Sequence, residues 1–156
     1  MNQHAKDLAE RLTTFNNDMI SFVENCSGED WQKVTSSEQW PVGVVARHVA
    51  AGHYGAFDFA KMIAAGETLP ELTMDAIDQM NAKHAEEHVN CTKSEVVGLL
   101  KENGSSITSF VAELDDEKLD HTSHLELVGG DISTQQFIEN IIIQSGGEHL
   151  SSMKGV

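Results

Sequence analysis

The 156-residue sequence predicts an all-α protein, a bundle of four main helices folded as one domain over residues 1–156. Three observations carry that expectation. Apolar side chains recur in alternating steps of three and four along the main stretches, the spacing that lines one face of an α-helix. Two stretches open on a capping box, Thr92-Lys93-Ser94-Glu95 and Ser133-Thr134-Gln135-Gln136, where side chain and backbone satisfy each other's free groups in the first turn. No run of alternating polar and apolar residues reads as a set of strands.

The first predicted helix covers residues 4–26, with Leu8, Leu12, Phe15, Met19, Phe22 and Cys26 on its apolar stripe. Ser27-Gly28 ends it, and residues 29–39 read as a polar connection anchored by Trp31 packing onto the bundle. The second helix spans 41–65; Pro41 suits its first turn, where a missing N–H is harmless. Gly43, Gly52 and Gly55 lower its intrinsic propensity but allow close approach of a neighbour. A long crossover follows, with Pro70 in the connection and a short helix of its own at 73–88. The third helix, 92–114, places Val97, Leu100, Gly104, Ile107, Val111 and Leu114 on one stripe. Residues 115–132 are polar and turn-rich, with room for one short extended piece at 125–128. The fourth helix, 133–153, carries Phe137, Ile138, Ile141 and Ile142 inward.

Composition narrows the function classes. Ten Lys and Arg against twenty-five Asp and Glu give a net charge of -15, a field that repels phosphate backbones and anionic lipid. Nucleic acid and membrane are therefore not expected partners, and the simplest use of the charge is a solvated surface. The two cysteines form no CxxC pair or disulfide framework, which points to a reducing, cytoplasmic setting. The N-terminus lacks the basic flank and apolar run of a secretory signal, and no window of about 18 apolar residues reads as a membrane span.

Eight histidines are the informative excess, because imidazole is the commonest metal ligand. His48 shares a helix face with Val44, Val45 and Val49 and points inward. A lone inward histidine is more often a hydrogen-bonded core residue than a ligand. His149 alters that balance: it follows Ile138, Ile142 and Ser145 at helical spacing and also faces the core. Two imidazoles on facing helices can meet, and a shared divalent cation would satisfy both.

His84-Ala85-Glu86-Glu87-His88 reads H-x-x-E-H, the arrangement of inverzincin peptidases. Those enzymes are much larger and need a further ligand, and the polar surroundings favour an exposed helix face. His121 and His124, in the polar loop, read the same way. Cys26 lies on the core stripe as a packing residue; Cys91 precedes a helix N-terminus, a setting able to depress a thiol pKa, with no base in view. Gly146-Gly147 inside a helix implies either close helix approach beside the site or fraying of a terminal helix.

The segment Trp40-Pro41-Val42-Gly43-Val44-Val45-Ala46-Arg47-His48-Val49, the long crossover and the late Gly146-Gly147-Glu148-His149-Leu150 together resemble the DinB/YfiT-like superfamily of metalloenzymes over essentially the whole chain. The resemblance implies a four-helix bundle of up-down-down-up topology, a homodimer, and a histidine-rich site for zinc, nickel or a similar ion. Its ligands are one histidine on the second helix and an H-x-x-x-H pair on the fourth. His48 and His149 match two of these, while the remaining position falls on Ser145. Thiol-dependent relatives, the mycothiol-dependent maleylpyruvate isomerases, place a glutamate there, which Ser145 does not match either.

A neutral hydroxyl is a weak ligand, and three alternatives stay open: a decayed site, water in the side chain's place, or another histidine swinging in. His53, five residues beyond His48, is rotated off the face, and His84 is the better candidate by elimination. Two functional readings follow. One is a divalent-metal-dependent enzyme acting on a small-molecule substrate, a hydrolase or a transferase or isomerase using a low-molecular-weight thiol. The other is a non-catalytic dimeric bundle, or small-ligand binder, with a degenerate site. Ser145 favours the second; the inward His48 and His149 favour the first.

Overall fold

Most helices begin where a side chain can take up a free N–H. In the computed structural model, Asn2 caps α1 (Gln3–Asn25) and Ser27 caps α2 (Gly28–Gln32). The helix α3 (Val42–Ala64) starts at Pro41. Thr73 caps α4 (Met74–Glu87), Thr92 caps α5 (Lys93–Ala112) and Asp115 caps α6 (Asp116–Asp120). Ser133 and Gln136 form the reciprocal box expected of them, opening α7 (Thr134–Phe137). The structure describes residues 2–156, and of positions 53–55 the backbone alone.

Three features depart from the sequence reading. The connection at 29–39 contains α2, a single capped turn too short for a periodic signal, whose Trp31 is buried as expected. In place of one extended piece at 125–128 there is a hairpin of β1 (Thr122–Leu125) and β2 (Gly130–Ser133), pairing Thr122 with Ser133 and Leu125 with Gly130. Residues Glu126–Val128 form the 3-10 turn between them. Each strand buries one side chain, Leu125 or Ile132, so no alternation was there to read. The last helix is not one α-helix: α7 passes into a π-helical stretch, Ile138–Gln144, and then into α8 (Ser145–Lys154). Extra backbone per turn of this kind recurs near functional sites, and here it leads directly to Ser145.

Contacts along the elements fix the topology. Asn2 donates to Asp116, and the Lys93 ammonium reaches the Cys26 carbonyl, so α1 and α5 run antiparallel. Asn103 donates to the Ala50 carbonyl at 2.8 Å and Phe57 meets Phe110 edge-on, so α3 and α5 run parallel. Arg11 pairs with Glu139 at 2.7 Å and Gly146 stacks on Phe15, placing the last helix parallel to α1. The order is up, down, down, up. Two consecutive parallel helices require the chain to return along the bundle, and α4, about 21 Å long at 1.5 Å per residue, supplies most of that return.

The core divides into two apolar clusters. One, toward the hairpin, gathers Leu8, Leu12, Ile63, Ile107, Phe137 and Ile138; the other gathers Met19, Val23, Trp31, Val45, Val96 and Met153. At this second end the stripes are offset by one residue from the sequence reading: Val23 and Val96 are fully buried, while Phe22 and Val97 pack from the margin. Among the described residues, no helix is long and apolar enough to cross a membrane.

Candidate functional site

Between the two clusters, α3 and α8 face each other across a cavity of about 210 Å3 lined by His48, Val49, Gly52, Ala56, Ile141, Ile142, Ser145, Gly146 and His149. Gly146 lets α8 lie close, since a Cβ there would sit 2.3 Å from the Phe15 ring. The tight approach suggested by the glycine pair is thus found at Gly146 and made against α1, whereas a side chain at Gly147 would meet open space.

The rings of His48 and His149 meet edge to face, centroids 5.1 Å apart. Trp40 covers His48 at 5.5 Å. Burial, reinforced by His149 and His84, pushes the His48 pKa down to about 4, so the ring is neutral at physiological pH and keeps a lone pair.

His149 is held from behind. Its Nδ1 lies 3.3 Å from Oε1 of Glu38, whose Oε2 accepts from the Ser152 hydroxyl at 2.8 Å. Although burial works to raise the Glu38 pKa, hydrogen bonds from Ser152, His149 and Thr35 hold it below the usual carboxylate value. A carboxylate accepting from Nδ1 places the ring proton there and leaves Nε2 as a donor of electrons, the arrangement that orients ligating histidines. Glu38 is the functional residue the sequence did not reveal. It sits in an aperiodic connection, positioned by a turn in which Gln39 takes a left-handed φ of 61°. Gln39 N–H donates to the Thr35 carbonyl and its side chain to the Ser36 carbonyl.

The third histidine comes from α4. His84 meets His48 at 5.9 Å and His88 at 4.9 Å between centroids. The H-x-x-E-H segment is therefore not the solvated face expected of it. His84 turns toward α3 and His88 packs on the His84 ring, while Glu86 and Glu87 stay exposed and Glu87 pairs with Lys83 at 3.7 Å. The inverzincin arrangement is not formed either: Glu87 is engaged with Lys83, and among the described residues no three His, Cys, Asp or Glu side chains gather to hold a metal. Both ring nitrogens of His84 are buried without a hydrogen-bond partner. Leaving such groups unsatisfied costs about 1–3 kcal/mol each, so the ring is poised for a partner. Burial first, then Arg47 and His88, bring its pKa down to about 4.

These features define how far a divalent ion fits. Two imidazoles sharing a tetrahedral ion stand with centroids about 5 Å apart, which His48 and His149 match. Ser145 lines the same cavity one turn before His149, as the spacing predicts. As they stand, no three His, Cys, Asp or Glu side chains among the described residues form a ready-made ion cage. A facing pair of imidazoles and an unsatisfied third suit an ion, with the third ring standing farther from His48 than His149 does.

The other candidates lie apart. His53 falls outside the described side chains. His121 contacts the Ala64 carbonyl at 2.7 Å and ties the hairpin to α3, and His124 stands exposed 3.8 Å from Asp131. Cys26 is a buried packing residue, as expected. For Cys91 the expected thiol depression is reversed: burial and then Glu95 raise its pKa, and its Sγ contacts the Gly43 carbonyl at 3.2 Å.

Comparison with known proteins adds two findings. The sequence profile of the DinB superfamily matches residues 11–150. Among solved structures, YfiT from Bacillus subtilis superposes with a TM-score of 0.79 at 14% identity, over 99% of this chain and 87% of that one. YfiT is described as a probable metal-dependent hydrolase with an unusual four-helix bundle topology. No curated protein matches.

Proposed function

The chain belongs to the DinB superfamily, and on that footing we propose that it binds a divalent metal ion at His48 and His149 and acts on a small molecule held in the adjoining cavity. The observation that carries the reading is the pair of facing imidazoles, His48 kept neutral by burial and His149 fixed from behind by Glu38. The description of YfiT as metal-dependent supports it. Zinc and nickel both suit imidazole ligands.

An ion there supplies Lewis acidity toward a water or a low-molecular-weight thiol nucleophile. The chain's own contribution is positional. Glu38 holds the His149 proton on Nδ1, burial keeps His48 unprotonated, and Ile141, Ile142, Val49 and Ala56 exclude water from one wall. A cavity of about 210 Å3 admits a compact substrate and is small beside the roughly 300–1,000 Å3 of drug-sized sites. Hydrolysis is the reaction class we favour, with thiol transfer or isomerisation as the alternative.

Elemental analysis of protein purified without a histidine tag tests the reading. About one equivalent of zinc or nickel is expected in the wild type and none in His48→Ala. Absence of metal from the wild type, together with no uptake from added ions, would make the relationship one of fold and leave the non-catalytic bundle standing. Homodimer formation is part of the proposal, and a monomer by light scattering across micromolar concentrations would remove it.

A further inference from the structure

We infer that His84, from the crossover helix α4, is the third protein donor to the ion, taking the role that Ser145 cannot fill. The inference rests on the metal reading above and goes beyond it by moving a ligand to a different element. Ser145 reaches the cavity beside His48 and His149 but offers a neutral hydroxyl, a poor ligand for a first-row ion. His84 offers what is missing. Its ring lies against His48, 5.9 Å between centroids, and both its nitrogens are buried with no hydrogen-bond partner. A buried polar atom without a partner is the exception in folded proteins and calls for an explanation of its own. One ion accounts for one of the two nitrogens, because a lone pair shielded from water is satisfied by coordination as well as by a hydrogen bond.

The charges nearby permit this. Arg47, the cation beside His84, has Glu95 at 3.5 Å, and Glu38 brings a carboxylate to the far side of the cluster. Placement on α4 also has a consequence. None of the side chains of α4 is fully buried, so an ion bridging His84 to α3 and α8 would pin the crossover to the bundle.

Cobalt(II) titration of untagged, metal-free protein, followed by its visible absorption, tests the assignment without reference to activity. Wild type, H48A, H84A, S145H and H84A/S145H are compared, with circular dichroism melts to verify folding. We expect H84A to bind at least about 100-fold more weakly, a larger loss than removal of an outer-shell partner. We expect H84A/S145H to recover to within about tenfold of wild type, since the imidazole returns to the cavity from α8. H84A binding like wild type while H48A does not would overturn this inference and leave the metal reading intact. A loss in H84A that S145H fails to repair overturns it as well. A wild type that takes up no cobalt, zinc or nickel overturns both.

Discussion

Acidification should expose the energetic consequence of burying His48. In the folded protein its pKa is pushed down to about 4 from an ordinary value of 6.5, with burial as the main cause. Between those two values the unfolded chain binds a proton that the folded chain refuses. Stability therefore falls as pH drops through that window, and the contribution of neutral His48 is fully retained above pH 6.5. At about 1.4 kcal/mol per pH unit, the full displacement is worth about 3 kcal/mol, and about 2 kcal/mol of it appears between pH 7 and pH 5. Urea denaturation of metal-free protein at pH 7, 6 and 5 measures the effect, with His48→Asn as the reference because asparagine does not titrate. The wild type should lose about 2 kcal/mol more than the variant over this range. Parallel stability curves for the two proteins would refute the placement of His48 in a water-excluded site.

Three further outcomes follow from the same geometry. Glu38→Gln should weaken metal binding by about 10–100-fold while leaving the helical content unchanged, because an amide holds the His149 Nδ1 proton less firmly; competition with a chelator measures it. Gly146→Ala should destabilise the protein by about 1–3 kcal/mol, since the new methyl group meets the Phe15 ring at 2.3 Å, and a thermal melt at the wild-type Tm would contradict that contact. Trp31→Ala should remove about 3–5 kcal/mol, as it empties a buried site and frees the Cys91 carbonyl that the indole N–H reaches at 3.1 Å; urea denaturation reads the loss.

The bundle itself was legible in the sequence because helices announce themselves locally. Apolar spacing and the cap residues Thr92 and Ser133 act within a few residues of where they sit, and the helices they predict begin within a residue of those found. The inward direction of His48 and His149 was legible for the same reason, since a helix converts spacing into direction. Elements without a period were not: α2 is one turn, and each strand of the hairpin buries a single side chain. Periodicity also failed at Phe22 and Val97, where a one-residue drift hands the core position to Val23 and Val96. The direction of a stripe is set finally by the neighbour it packs on, and the two drifting ends pack on each other.

Tertiary structure decided the make-up of the site. Glu38 stands 111 residues from His149 in an aperiodic turn, so nothing local signals that its carboxylate meets that ring. The polar surroundings of His84 read as a solvated helix, yet the return of α4 along the bundle turns its inner edge onto His48. Sequence determines which face a residue occupies on its own helix; which faces meet depends on how the helices cross, and that is fixed by packing between segments distant in the chain.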